Sequence, residues 1–83
     1  MTRTASAAFA FKGKEYRAFG REENDGSITV VNIDCVYLRT NRWGQVERRR
    51  RSVYYNSART AHQRKLRVLA VKALAYNFAS RED

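Results

Sequence analysis

The amino-acid sequence predicts an α+β fold, an antiparallel β-meander of three to four strands followed by one long C-terminal α-helix packed on the sheet. Up to residue 55, β-branched and aromatic runs alternate with polar, glycine-containing turns, as antiparallel strands do. Beyond residue 57 the apolar residues recur every three to four positions, as on one side of a helix. With 83 residues and no proline, we expect one small domain. Its predicted parts are a loose N-terminus (1–6), the meander (7–55), the helix (57–79) and a tail (80–83).

The first two strands are predicted on either side of a short glycine turn. Residues 7–11 and 15–21 both alternate in a strand-like manner, and the Lys-Gly-Lys sequence between them is typical of a tight turn. Alternatively, the two segments form one bent strand with Gly13 at a β-bulge. Residues 22–27 are the clearest turn in the chain, because their Asp-Gly step tolerates the positive φ angles of tight turns.

Residues 28–39 are predicted to form a long central strand that is apolar on both faces. One face carries Ile28, Val30, Val36 and Leu38, and the other carries Val31, Ile33, Cys35 and Tyr37. We therefore expect either a sheet covered on both sides or a strand that changes face at a bulge. Asp34 is expected to pair with an arginine of a neighbouring strand, because an unpaired buried charge is costly. Residues 40–44 then reverse the chain, and residues 45–55 return as the next strand.

A helix is predicted from Asn56 or Ser57, either of which can cap it through its side-chain oxygen. Its apolar stripe consists of Leu66, Leu69, Ala70, Ala73 and Leu74, widened by Tyr76 and Phe78. The first half of the helix is polar and basic. We expect the apolar second half to pack on the sheet, and on a second subunit as well, while the basic half projects.

The positive charge of the chain is concentrated in its second half. The whole chain has a formal net charge of +9, with 17 Lys and Arg against 8 Asp and Glu. Residues 1–35 are neutral, whereas residues 36–81 total +11. A localised basic surface of this kind favours an anionic partner.

The run Arg48–Arg51 is the most prominent local feature. On a strand, Arg48 and Arg50 share a face with Val46 and Ser52, while Arg49 and Arg51 share the other with Val53 and Tyr55. Basic residues also protect edge strands from aggregation, but that purpose rarely needs four consecutive arginines. We therefore favour anion binding. The residues expected to contact the partner are Arg39, Arg42, Trp43, Arg48, Arg49, Arg50, Arg51, Tyr55, Arg59, Arg64, Lys65 and Arg67.

The composition suggests a binding protein and not an enzyme. One histidine, His62, and one cysteine, Cys35, offer no zinc ligand set, and we expect no catalytic residue, metal or cofactor. No signal peptide or membrane span is predicted, which favours a cytoplasmic protein. The leading hypothesis is a nucleic-acid-binding protein, for either DNA or RNA, that forms a homo-oligomer, most simply a dimer. The alternative is a small inhibitor or adaptor that docks on an acidic protein or nucleoprotein surface.

Overall fold

Four strands and one helix make up residues 3–80, the part of the chain that the computed structural model describes. The elements are β1 (Arg3–Phe11), β2 (Lys14–Glu22), β3 (Ile28–Thr40), β4 (Val46–Tyr55) and α1 (Ala61–Ser80). The strands form one antiparallel sheet in the order β1-β2-β3-β4, and α1 packs across β1, β2 and β3. The predicted α+β meander with a C-terminal helix is confirmed.

The first strand begins earlier than predicted. Residues 3–6 lie in β1, where Arg3 pairs with Glu22 across the ladder. The Arg3 guanidinium also bonds the Glu22 carboxylate at 2.5 Å and lies 5.4 Å from the centre of the Phe78 ring. These long-range contacts order a segment whose local sequence has little strand character. At the other end of the chain, Ser80 is the last residue of α1, and residues 81–83 of the predicted tail lie outside the described residues, as do residues 1–2.

The turn between β1 and β2 settles the question of one bent strand or two. Lys12 and Gly13 both have positive φ, 51° and 77°, as in the two-residue turns that match the twist of a hairpin. The predicted Asp-Gly turn between β2 and β3 is also present. There, the Asp25 carboxylate accepts hydrogen bonds from the Ser27 hydroxyl and amide, and these bonds lower the pKa of Asp25.

Two β-bulges explain the apolar character of both faces of β3. Val30 lies opposite Gly20 but Asn32 lies opposite Phe19, so Val31 is an extra residue and the strand changes face there. A second bulge leaves Val53 of β4 without a partner on β3. The structure thus selects the second of the two predicted alternatives, a change of face at a bulge.

The core lies between the sheet and α1. Four helix residues at intervals of four are fully buried: Leu66, Ala70, Leu74 and Phe78. A Cβ atom on Gly20 would lie 2.6 Å from the Thr29 carbonyl oxygen and 2.7 Å from Leu74 Cδ1, so a glycine is needed where the helix crosses β2. The predicted widening of the stripe at Tyr76 is wrong, because this residue lies two positions after Leu74 and therefore on the far side of the helix, 78% exposed.

The helix also begins later than predicted, at Ala61, and its cap is neither Asn56 nor Ser57. The Thr60 hydroxyl accepts a hydrogen bond from the Gln63 amide at 3.1 Å, and the Gln63 side chain accepts one from the Thr60 amide at 3.2 Å. This reciprocal arrangement is a capping box. Asn56 instead has a φ of 61°, and its amide bonds the Val31 carbonyl.

Candidate functional site

The end of the β3–β4 hairpin extends past the rest of the sheet. The last pair between β2 and β3 is Glu15 with Val36, and beyond it Tyr37, Leu38, Arg39 and Thr40 pair only with β4. We call residues 37–49 the arm. All of them are exposed except Asn41 and Glu47, which are half-buried. Arg50 and Arg51 of β4 form the base of the arm, where the third strand begins.

The arginine run divides between the two faces of the hairpin. Residues paired across strands share a face, and Arg51 pairs with Cys35, which lies in the core beneath the helix. Arg49 and Arg51 therefore lie on the side of the sheet that carries α1, which we call the helix face. Arg48 and Arg50 lie on the opposite side, the open face, where no other element packs within residues 3–80. The alternation predicted for these four residues is present.

Only some of the arginines of the arm and its base form ion pairs. Arg48 bonds the Glu15 carboxylate at 2.5 Å, and Arg49 lies 3.7 Å from the Glu47 carboxylate. The Arg50 guanidinium lies 5.8 Å from the centre of the Phe19 ring. In the described part of the chain, no carboxylate lies within ion-pair distance of Arg39, Arg42, Arg50 or Arg51. Most of these donors thus face solvent.

The tip of the arm is a rigid loop that presents an aromatic ring. The Asn41 side-chain oxygen accepts hydrogen bonds from the amides of Trp43 and Gln45, at 2.9 and 3.0 Å. Gly44 closes the loop with a φ of 77°. The Trp43 side chain is 71% exposed, and the Arg42 guanidinium lies 4.6 Å from its ring centre, a cation–π distance. The loop therefore holds a cation and an indole together in solvent.

Tyr55 lies on the opposite face from the one predicted. The bulge at Val53 shifts the alternation by one residue, so Tyr54 is buried on the helix face and Tyr55 is exposed on the open face. Tyr55 pairs with Asn32, which in turn pairs with Phe19. Its neighbours across the sheet are therefore on the side of Arg48 and Arg50, and not on the side of Arg49 and Arg51.

The basic residues near the helix are separate from the arm. Arg59 lines a shallow groove with Tyr55 and Gln63, beyond the last residue of β4. Arg67 lies in another groove against the start of β3, formed by Ile28 and Thr29 among others. Arg64 and Lys65 are exposed on α1. The candidate residues thus form one group on the hairpin and a second, more dispersed group around the helix.

Asp34 has a different partner from the one expected. It lies on the open face opposite Arg17, but its carboxylate accepts a 2.7 Å hydrogen bond from the Asn32 side chain. Within residues 3–80 it forms no ion pair with an arginine. Because Asp34 is only half-buried, solvent and a neutral donor are sufficient to stabilise it.

Three residues of β2 join the candidate surface although the sequence did not identify them. Lys14 lines a groove on the helix face with Tyr37 and Arg51. On the open face Arg17 lines a groove with Arg48 and Arg50, and Glu15 binds Arg48. The alternation of β2 indicates on which side of the sheet each of these residues lies. Which residues of β4 lie near them depends on how both strands pair with β3, and the two bulges set that pairing.

The described residues contain no group of three or more His, Cys, Asp or Glu side chains placed to hold a metal ion. Cys35 is buried as a free thiol, and His62 packs against Phe11 with 5.8 Å between ring centres. Among residues 3–80, no helix has the length and apolar character needed to cross a bilayer. Comparisons of the chain with protein-family models, with curated proteins and with solved structures find no match.

Proposed function

We propose that this protein binds nucleic acid, chiefly through phosphate contacts made by the arm and its base, and that it acts by binding and not by catalysis. One observation carries the proposal: residues 37–51 contain six arginines and a single carboxylate, Glu47, on an exposed hairpin. Protection of the β4 edge accounts for arginines on that strand. It can also account for Arg39, because β3 has a free edge where it extends past β2, but it does not account for Arg42, which lies in the loop and on no strand.

The charges of the hairpin suit a polyanion. Exposed ion pairs such as those of Arg48 and Arg49 contribute at most about 1 kcal/mol each, so phosphate groups can replace the carboxylates at little cost. Each phosphate neutralised on B-form DNA releases condensed counterions, and the logarithm of the affinity falls with that of the salt concentration by a slope of about 0.9 per contact. Arginine also forms two parallel hydrogen bonds with one phosphate.

The basic surface of α1 provides a second set of phosphate contacts in this proposal. Arg64, Lys65, Arg67 and Lys72 are all exposed, and within the described residues none of them forms an ion pair. They are spread over three turns of one helix. A given length of phosphate backbone therefore contacts fewer of these residues than it contacts arginines of the hairpin. We therefore assign them the smaller share of the binding free energy.

The test is a binding titration against random-sequence single- and double-stranded oligonucleotides over a series of salt concentrations. The variant in which Arg48, Arg49, Arg50 and Arg51 are all replaced by Gln keeps the β4 edge polar. It is expected to reduce the salt slope by about 3 to 4. The matched control replaces Arg64, Lys65, Arg67 and Lys72 by Gln and removes the same charge. We expect it to reduce the slope by less than half as much.

The two variants separate position from net charge. Equal losses would mean that binding follows overall charge and that the hairpin has no special role. A larger loss in the helix variant would move the site to α1. If the unmodified protein does not bind any oligonucleotide at low salt, the proposal is wrong.

The exposed apolar residues of the arm favour a second candidate function, docking on an acidic protein or nucleoprotein surface as an inhibitor or adaptor. Leu38, Trp43 and Val46 are each about two-thirds exposed or more, and Tyr37 is partly exposed beside them. A buried aromatic anchor surrounded by arginines is typical of protein–protein hot spots. Failure to bind oligonucleotides, together with capture of a defined acidic protein through Trp43, would establish this function instead.

Self-association is proposed alongside either function. It rests on the helix, where Val68 and Tyr76 leave large apolar side chains on the outer side of α1. We infer a homodimer that buries this side of the helix, in the reducing cytoplasm where a lone buried thiol such as Cys35 persists. Sedimentation that shows only monomer at high micromolar concentration would refute the dimer.

A further inference from the structure

We propose that the ligand of the arm is double-stranded DNA and that the arm enters the major groove of a B-form duplex with Trp43 leading. This inference rests on the nucleic-acid binding proposed above and specifies the form of the ligand. Three features carry it: the dimensions of the arm, the distribution of charge over both of its faces, and the construction of its tip.

The dimensions of the arm match that groove. Four cross-strand pairs, from Tyr37 with Arg49 to Thr40 with Val46, have no third strand beside them. At about 3.4 Å per residue this paired part is roughly 14 Å long before the loop is added. The major groove of B-DNA is about 12 Å wide and 8.5 Å deep and admits a two-stranded ribbon. The arm is thus long enough to bring the loop to the base edges while its base remains at the phosphates.

Charge on both faces requires a concave partner. Arg39 and Arg49 lie on one face of the arm and Arg48 on the other, with Arg50 and Arg51 continuing the two faces at the base. A flat anionic surface contacts one face only and leaves the other set of arginines unused. A duplex groove has a phosphate backbone along each wall, so it contacts both faces at once.

The tip is built to meet bases. The Asn41 hydrogen bonds fix the loop before binding, so little conformational entropy is lost when it is ordered in a complex. Trp43 offers an apolar surface for thymine methyl groups, and Arg42 beside it offers paired donors of the kind that guanine accepts in this groove. An arm that only held phosphates would not need an indole at its end.

Other nucleic acids fit these features less well. The major groove of an A-form RNA duplex is deep and narrow, and side chains do not read it. Single strands are held on stacking platforms of several exposed rings. The exposed rings of the hairpin, Tyr37, Trp43 and Tyr55, lie on the helix face, at the tip and on the open face, so they do not form one platform.

The experiment uses Trp43 as its own probe, because it is the only tryptophan of the chain. The full-length protein is titrated at one low salt concentration with a 16-base-pair DNA duplex, the equivalent RNA duplex and the DNA single strands. Acrylamide quenching of the Trp43 fluorescence is recorded in each complex. We expect the DNA duplex to bind about tenfold more tightly than the other ligands and to shield Trp43 from the quencher.

Two further measurements locate the groove. Glucosylated 5-hydroxymethylcytosine, which fills the major groove, is expected to abolish binding, whereas the minor-groove ligand distamycin leaves it unchanged. Trp43→Ala is expected to weaken duplex binding by about tenfold. The control Ser27→Ala changes an exposed residue of the β2–β3 turn, at the end of β3 opposite the arm, and is expected to leave binding unchanged. Circular dichroism checks that both variants are folded.

The outcomes separate the two proposals. Equal affinity for single strands or RNA, an unshielded Trp43, or competition by distamycin overturns the major-groove inference while nucleic-acid binding stands. No binding to any of the three ligands overturns both, and the acidic protein partner then becomes the leading candidate.

Discussion

Dividing the arginine run by face gives the sharpest prediction about the hairpin. The variant R48Q/R50Q removes the charge of the open face, and R49Q/R51Q removes that of the helix face. Each lowers the formal net charge from +9 to +7. If the arm contacts phosphates on both sides, each double variant loses two contacts and its salt slope falls by about 1.8.

The two variants are matched in the ion pairs that they remove as well as in charge. Each removes one arginine with an exposed carboxylate partner, Arg48 with Glu15 or Arg49 with Glu47. Each also removes one arginine, Arg50 or Arg51, that is not within ion-pair distance of a carboxylate in the described chain. Exposed pairs contribute little to folding, so both proteins should retain the unfolding midpoint of the unmodified chain to within a few degrees.

The assay is fluorescence anisotropy of a labelled DNA duplex between about 50 and 200 mM salt, a range over which binding through phosphate contacts weakens markedly. Equal losses in the two variants, adding in the quadruple variant, are the expected result. A loss confined to one variant would show that only one face meets the ligand, and it would refute enclosure of the arm in a groove.

Three further predictions concern the packing of the sheet, its stability at alkaline pH and the ion pair between Glu15 and Arg48. Gly20→Ala would place a Cβ atom 2.6 Å from the Thr29 carbonyl oxygen and 2.7 Å from Leu74 Cδ1 and should destabilise the fold by about 1 to 3 kcal/mol in urea unfolding, because the backbone of β3 cannot move aside as a side chain can; an unchanged midpoint would contradict this close approach. Burial, reinforced by the nearby Cys35, raises the pKa of the Tyr16 hydroxyl, so burying the neutral side chain stabilises the fold fully below the ordinary tyrosine pKa of 10.0, and this stabilisation is lost as the pH rises through the raised pKa. Tyr16→Phe should therefore flatten the alkaline decline of the unfolding temperature in thermal melts, and an identical decline in the variant would exclude Tyr16 as its cause. Glu15→Gln removes a carboxylate that competes with phosphate for Arg48 and should tighten oligonucleotide binding severalfold, whereas weaker binding would mean that Glu15 positions Arg48.

The fold could be predicted from the sequence because its signals are local. Glycine turns separate the strands, and the buried residues Leu66, Ala70 and Leu74 recur at helical spacing. The start of β1 was missed because it depends on Glu22, which lies 19 residues away. The start of α1 was placed too early, although Thr60 and the glutamine three residues later carry a recognisable capping-box signal.

The candidate site was less predictable because bulges change which residues face one another. A single extra residue at Val53 moves Tyr55 to the other side of the sheet, and nothing in the local sequence marks that position. The contribution of Lys14 and Arg17 likewise depends on strand order and register. The composition of the arm, in contrast, follows directly from the sequence, since the hairpin is continuous and its arginines are neighbours.

A residue-resolved NMR titration with a DNA duplex tests the central claim most directly. Backbone amide shifts of the unmodified protein are followed as the duplex is added. If the arm binds the ligand, the largest changes fall on residues 37–51, with the Trp43 indole N–H among them, while the outer surface of α1 changes little. Changes concentrated on α1, or none anywhere at low salt, would contradict the claim.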